Sequence, residues 1–293
     1  MQTRHMTPLE ATLPRRSYCA LQILKPILAA AGVPEPDMRQ IYVGQRSIRE
    51  FSTYDGLSRA ILDFDMPETR ATTILDHYTT GTGFKGIMSS GQLWLSPITL
   101  RLNQGELDTF ALEHGLQGYV DAKGSHKPAL AQAAADLFYL SFTQPQPSEH
   151  LWDVFGERGN GYRLRFAVTP GSAGQLRAIR YHGQTTLLRK VNDALASAGL
   201  PRFILKQISR VGAFYLPLML QPENETRLLA KRFPGGNAPT ISVGSHDVWP
   251  ITIGSADKTA ELTLIEVGIR RQDRAVVQAN LPAWCPTIPV ITD

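Results

Sequence analysis

The sequence predicts an α+β fold of antiparallel or mixed sheets behind a helical N-terminal extension. Three observations predict it. Strands and helices are mixed without a regular βα alternation. Several strands are short and follow one another directly. Residues 17–70 read as helices, and the texture changes to strands from residue 73. At 293 residues with 43% hydrophobic and 19% charged content, the chain can bury a sizeable core and is not a disordered protein.

The elements are justified in order. Residues 1–16 are polar and read as disordered. "SYCALQILKPILAAAG" places Leu21, Leu24, Ile27 and Leu28 on one face, as a helix kinked at Pro26 and ending at Gly32. "PDMRQIYVGQRSIREF" reads as a second helix and "STYDGLSRAILDF" as a third, with Leu57, Ile61 and Leu62 inward. "TILDHYTT" is a strand. "GTGFKGIMSSG" is a short helix that packs Phe84, Ile87 and Met88 and is capped by Gly91. "QLWLSP" is a strand stopped by Pro97. "KPALAQAAADLF" is a helix, "YLSFTQ" a strand, "PSEHLWDVFG" a turn or two of helix, and "NGYRLRFAV" an alternating strand. "AIRYHG" is a short strand. "TTLLRKVNDALASAG" and "PRFILKQISRVGAFYLPLML" read as helices, the second apolar enough to be core. "TRLLAKRF", "DVWPITIG", "ELTLIEVGI" and "TIPVIT" are strands, "PGGNAP" a turn, "RRQDRAVVQANL" a helix, and the pair His246–Asp247 a turn. The boundary falls between residues 1–72 and 73–293.

Composition removes several function classes. The two cysteines, Cys19 and Cys285, lie near opposite ends and form no CxxC pair, which excludes a zinc ribbon and favours a reducing compartment. The seven histidines have no ligand spacing, so no metal is expected. HExxH, GxSxG and GxxxxGK[ST] are missing, and "GTGFKG" has the wrong spacing for a dinucleotide fingerprint. No apolar run reaches the ~18 residues of a membrane span. The N-terminus lacks the apolar centre of a secretory signal, so the cytoplasm is the expected location. A formal net charge of +4 is compatible with a polyanionic ligand and argues for none.

Three local patterns carry chemistry. His77, Tyr78 and Thr79 cluster hydrogen-bonding groups at a strand end that opens into a Gly-rich turn and helix, where free backbone N–H groups can hold a ligand. Alone, His77 reads as a satisfied core histidine. Asn103 and Glu106 follow the second strand, and Trp152 precedes glycines 156, 159 and 161. Separately these read as a cap, a core tryptophan and turn glycines. The third pattern is "QPENETRLLAKR". A glutamate that takes a sugar 2-hydroxyl stabilises the positive charge of an oxocarbenium-like transition state. A second acid two residues away on an extended chain points the same way and can accept a proton from the nucleophile. Glu223 and Glu225 have that spacing. Alone, they read as solvated acids pairing with Arg227 or Lys231.

Taken in order, "HYT", "LWLS", the Asn103/Glu106 loop, "LSFT", the Trp152 segment, "GYRLRF", "ENETR", "IEVGI" and "IPVI" resemble a widespread, poorly characterised bacterial family. The match runs from Thr73 to Thr292. That family in turn resembles the ADP-ribosyltransferase fold, a split of two small antiparallel or mixed sheets with flanking helices. The resemblance implies that NAD is the substrate and that ADP-ribose passes to a protein or nucleic-acid acceptor. Carried over by position, Glu225 is the catalytic acid and Glu223 the accessory one. His77 and Ser96 orient NAD. Tyr78, Thr79, Asn103, Glu106 and Trp152 line the pocket, and Arg227 pins the acidic loop or a phosphate. The sequence departs from the family pattern at Asp153, Thr226 and Thr292; the first two leave the pocket shape open, and none removes the proposed acid.

The implied setting is bacterial conflict: a toxin, effector or defence factor, delivered into a target cell or neutralised by an antitoxin or chaperone. The arginines of "RRQDR" and "LPRRS" lend slight weight to a nucleic-acid acceptor. An NAD glycohydrolase and a non-catalytic nucleotide- or partner-binding module are the alternatives.

Overall fold

The structure is a computed structural model. It describes residues 13–293 except 105, 117, 118, 120, 122, 124, 126, 207 and 234–238, and the side chains of 103, 104, 106, 133, 208 and 209 also lie outside the described set. The expected turn at "PGGNAP", the character of residues 1–12 and the side chains of Asn103 and Glu106 therefore fall outside it.

In chain order the elements are α1 (Arg15–Ala30), β1 (Ile41–Val43), β2 (Ile48–Glu50), α2 (Gly56–Asp65), β3 (Glu68–Thr69), β4 (Thr73–Thr79), α3 (Gly81–Ser90), β5 (Gln92–Pro97) and α4 (Glu106–Glu113). There follow α5 (Pro128–Ala134), β6 (Leu137–Thr143), α6 (Glu149–Val154), β7 (Tyr162–Pro170), β8 (Gly174–Ala178), β9 (Arg180–Tyr181), α7 (Leu187–Ser197), β10 (Phe203–Ile204) and α8 (Ile208–Gly212). The chain continues through β11 (Tyr215–Leu216), β12 (Glu225–Lys231), β13 (Ile241–Val243), β14 (His246–Thr252), β15 (Ala260–Ile269), α9 (Arg274–Ala279) and β16 (Val290–Thr292).

The chain divides into two compact units. The first takes residues up to Pro67 together with Gly183–Val211, and the second takes Glu68–His182 and Gly212–Asp293. The sequence-based boundary lies at 72/73, and no composition shift marks Gly183–Val211 as part of the first unit.

In the first unit α1 buries Ala20, Leu21, Leu24 and Leu28, and α7 buries Leu187, Leu188, Val191 and Leu195. Buried polar groups tie distant segments together. The Asp65 carboxylate accepts from Leu187 N at 2.9 and 3.0 Å, at the start of α7. The Asn192 amide bonds both the N–H and the C=O of Phe203. Glu50 accepts from Leu57 N and Ser58 N and so caps α2. Residues 36–51, expected as a helix, form a short hairpin of β1 and β2. The β-branched Ile41, Val43 and Ile48 favour strands. Gly44 N donates to Ser47 O, which closes the turn, and β10 adds to β2 in parallel.

The second unit is a large curled mixed sheet, a half-barrel, in the order β13-β14-β5-β6-β4-β7-β15-β16, with β12 on β6, β8 on β12 and β3 on β8. Its core gathers Leu75, Leu95, Phe138, Leu140, Phe142, Leu164, Phe166, Leu228 and Ile251 from alternate positions of adjacent strands. α3 covers part of it with Phe84, Ile87 and Met88, each worth ~1.5–3 kcal/mol of burial. Thr80 caps the start of α3, and Gly91, at φ 64°, ends it in the left-handed region.

The segment 201–220, expected as one core helix, is broken into β10, α8, β11 and the start of a 3-10 turn, Leu218–Glu223. Its apolar residues Phe214, Tyr215 and Leu216 are buried as expected, in an extended segment where β11 pairs with β9. His246 and Asp247, expected in a turn, begin β14, where Asp247 accepts from Ser242 Oγ at 2.9 Å.

One topological feature positions the site. β12 covers the whole of one edge of β6, from Leu137 to Thr143. β5 and β4 therefore share the other edge. β5 meets it at one end, through Ser96↔Tyr139 and Pro97↔Phe138, and β4 meets it at the other, through Asp76↔Thr143. Between these contacts the sheet forks, and among the described residues no strand lies beside this edge of β6 around Ser141.

Candidate functional site

A cavity of about 610 Å³ opens at this fork. That volume lies within the roughly 300–1,000 Å³ typical of small-molecule and cofactor sites. β4 contributes His77 and Tyr78, β5 contributes Trp94 and Ser96, and β6 contributes Tyr139, Ser141 and Thr143. Glu223 and Glu225 enter from the start of β12, and α3 adds Thr82, Gly83 and Gly86.

The missing ladder bond on β6 is made by a side chain. His77 Nδ1 donates to Ser141 O at 3.0 Å. A carbonyl can only accept, so Nδ1 carries the proton and Nε2 of the neutral ring keeps its lone pair. Burial lowers the His77 pKa below its ordinary value, partly offset by the bond to Ser141 O. His77 is therefore neutral at physiological pH. Its ring also meets Phe142 edge-on at 6.1 Å.

Opposite it stands Glu225. The registers Glu225↔Thr143 and Arg227↔Ser141 put these four side chains on one face of the sheet. Ser141 Oγ donates to Glu225 Oε1. Arg227 Nε donates to the same oxygen at 2.6 Å, and Nη2 donates to Oε2 at 3.2 Å. Arg227 is in turn held by Ala213 O at 2.7 Å and lies 4.7 Å over the Tyr139 ring. The Glu225 carboxylate is thus fixed from behind by a bidentate fork while it lines the cavity. Ser141 joins the two halves of the site, its carbonyl on His77 and its hydroxyl on Glu225. That split argues against a Ser-His-acid triad, which needs the histidine on the serine hydroxyl.

The backbone around Glu225 is also clamped. Its N–H donates to Tyr181 Oη at 3.0 Å. Burial pushes the Tyr181 phenol up to about 12, against that bond and with help from the charges of Glu225 and Glu223. Thr143 Oγ1 donates to Glu223 O at 2.9 Å. Glu223 and Glu225 do not lie on one extended chain, as the i, i+2 spacing suggested. Glu223 ends the 3-10 turn, and Asn224 at φ 43° turns the chain through the left-handed region. Glu225 faces the cavity from the first position of β12, and the turn rather than strand alternation brings Glu223 to it.

Of the residues expected from the sequence, His77, Tyr78, Ser96, Glu223 and Glu225 share the cavity. Arg227 sits behind Glu225. Trp152 is buried one layer back, with its ring 5.3 Å from Tyr78 in an edge-on contact, and Arg270 lies over it at 5.1 Å. Thr79 pairs with Tyr162 and is not among the lining residues. Burial, with the Asp76 charge, pushes the Tyr78 phenol up to about 12. Asp153 is exposed and Thr226 is buried, and neither lines the cavity.

Sequence reasoning missed Arg101, Tyr139 and Tyr181. Arg101 Nε donates to Tyr139 Oη at 2.7 Å, and both line the cavity. The alternation Tyr139, Ser141, Thr143 within "YLSFT" carried a signal for Tyr139, while nothing local marks Arg101 or Tyr181. Among the described residues no cluster of three or more His, Cys, Asp or Glu side chains could hold a metal ion, and no helix is long and apolar enough to cross a membrane. Comparisons with protein-family models, curated proteins and solved structures give no match.

Proposed function

We propose that this protein transfers ADP-ribose from NAD to a macromolecular acceptor, and that the fork at β6 serves as the NAD cleft of an ADP-ribosyltransferase-like fold. The observation that carries the reading is the shared cavity of Glu225 and His77, joined through Ser141. In the reaction the bond between nicotinamide and ribose C1′ breaks, and nicotinamide leaves with the electron pair. Glu225, fixed by Arg227 and Ser141, accepts the ribose 2′-hydroxyl and stabilises the oxocarbenium-like charge. Oε2 accepts from Arg227 Nη2 alone among its resolved bonds, which leaves a lone pair for that hydroxyl. His77, held neutral by burial, offers Nε2 as an acceptor to orient a hydroxyl of the substrate. The acceptor's nucleophile bonds to C1′ and gives its proton to Glu223.

The test is incubation with NAD labelled on its adenylate half, in the presence of a cell extract. Label on protein or nucleic acid supports transfer. Free labelled ADP-ribose alone makes the site a glycohydrolase. Intact NAD under every acceptor tried contradicts the catalytic reading and leaves a binding module.

A further inference from the structure

Trp94 lies in the "LWLS" strand, and the catalytic reading gives it no role. Its neighbours Leu93 and Leu95 are buried at 2% and 0% exposure, whereas Trp94 is 41% exposed and lines the cavity. Leaving a large indole partly open is unfavourable unless something covers it. Among the described residues its ring is paired with no other ring. The register Ser96↔Tyr139, with strand alternation, puts Gln92, Trp94 and Ser96 on the face that carries Tyr139, Ser141 and Glu225. α3 lines the same cavity with Thr82, Gly83, Gly86 and Ser90. A Cβ added at Gly86 would meet nothing within 4 Å, so the space beside the helix is open there.

β5 has parted from β6 at Trp94, where the sheet forks, and β12 lies on the far edge of β6, so Trp94 stands more than two strand spacings, ~9.5 Å, from the strand of Glu225. A ring bonded directly to the carbon that Glu225 addresses lies within a bond or two of it. The indole is too distant for that ring and is placed for the other one. We propose that Trp94 is the stacking platform for the purine ring of the bound dinucleotide, and that it sets a preference for purine nucleotides. This rests on the NAD reading above.

The experiment titrates wild type, Trp94→Leu and Trp94→Phe with AMP, ADP-ribose and nicotinamide mononucleotide, following tryptophan fluorescence and calorimetry. The other three tryptophans serve as a constant background. AMP and ADP-ribose quench the wild type. Trp94→Leu loses the quench and binds both about 10- to 100-fold more weakly, the range of one base–aromatic stack. Trp94→Phe recovers most of the affinity, and binding of nicotinamide mononucleotide is the same in all three. Equal affinity of wild type and Trp94→Leu for ADP-ribose overturns the assignment, as does a wild type that binds neither purine ligand. Nicotinamide release from NAD, measured on the same samples, separates the two ideas. If the wild type cleaves NAD and Trp94→Leu keeps its KM, only the Trp94 assignment fails. If AMP binds through Trp94 but NAD is never cleaved, the catalytic reading fails and the purine site stands.

Discussion

Two buried arginine–carboxylate groups flank the fork, and they are built differently. In the first, Arg227 grips Glu225 with two bonds, and the same carboxylate lines the cavity. In the second, Asp76, next to His77 on β4, is 1% exposed and accepts from Arg163 Nη1 and from Arg165 Nε and Nη2. Arg163 also holds Asp293 at 2.5 and 2.6 Å and Glu266 at 2.8 Å. Burial works against the Arg163 charge, and the carboxylates of Asp293 and Asp76 outweigh it, so its pKa is raised. None of these five groups lines the cavity. A buried ion pair is therefore no sign of function in itself. The closed group braces the strands, and the other leaves its carboxylate facing the cavity.

That contrast can be broken by substitution. Asp76→Ala removes the more deeply buried of the two carboxylates that Arg163 and Arg165 share, leaving them Glu266 and, for Arg163, Asp293. It should lower stability by about 3–5 kcal/mol in urea denaturation. Glu225→Gln keeps one acceptor for Arg227, which also retains Ala213 O, but turns the other oxygen into a donor facing the guanidinium and removes the negative charge, so it should cost about 1–3 kcal/mol. Its turnover of NAD should nevertheless fall about 10²–10³-fold, as for removal of one preorganised electrostatic group. Equal destabilisation by the two variants would erase the distinction between them.

Tyr181→Phe sharpens the contrast from behind the site. It strips the acceptor from the Glu225 N–H and should cost about 1–3 kcal/mol, with kcat reduced more than KM is raised. Unchanged thermal unfolding would show that the clamp is not formed in solution.

The mildest effect is expected from pH. His77 has a folded pKa below its ordinary value of 6.5, so as pH falls the unfolded chain takes up the proton first. Its stabilising contribution is present above 6.5 and is lost as pH drops through the folded value. His77→Gln should flatten this part of the stability profile, measured by urea denaturation at about pH 7.5 and about pH 5.5. An unaltered profile would place the titration elsewhere.

Much of the second unit could be read from sequence because its elements carry local signals. Gly91 ends α3 and Pro97 ends β5, as the cap and the breaker in the sequence predict. His77, Glu223 and Glu225, which share the cavity, are singled out by the order of their motifs and not by any one residue alone. Long-range closure could not be read. Residues 36–51 form a hairpin whose outer edge is satisfied by Phe203, far along the chain. The apolar run 201–220 fits a helical period, yet tertiary pairing of Tyr215 with Arg180 pulls it into an extended form. The left-handed turn at Asn224 and the bond from Arg101 to Tyr139 depend on neighbours that no local window contains.

Under the proposed function the carboxylate of Glu225 acts on the nicotinamide ribose, while the group at Asp76 only supports the strand that carries His77. Release of nicotinamide from NAD, followed side by side for the wild type and Glu225→Gln at matched folded fraction, tests this most directly. Release by the wild type and its loss by at least about a hundredfold in Glu225→Gln is the predicted result. Equal release by the two proteins would contradict it.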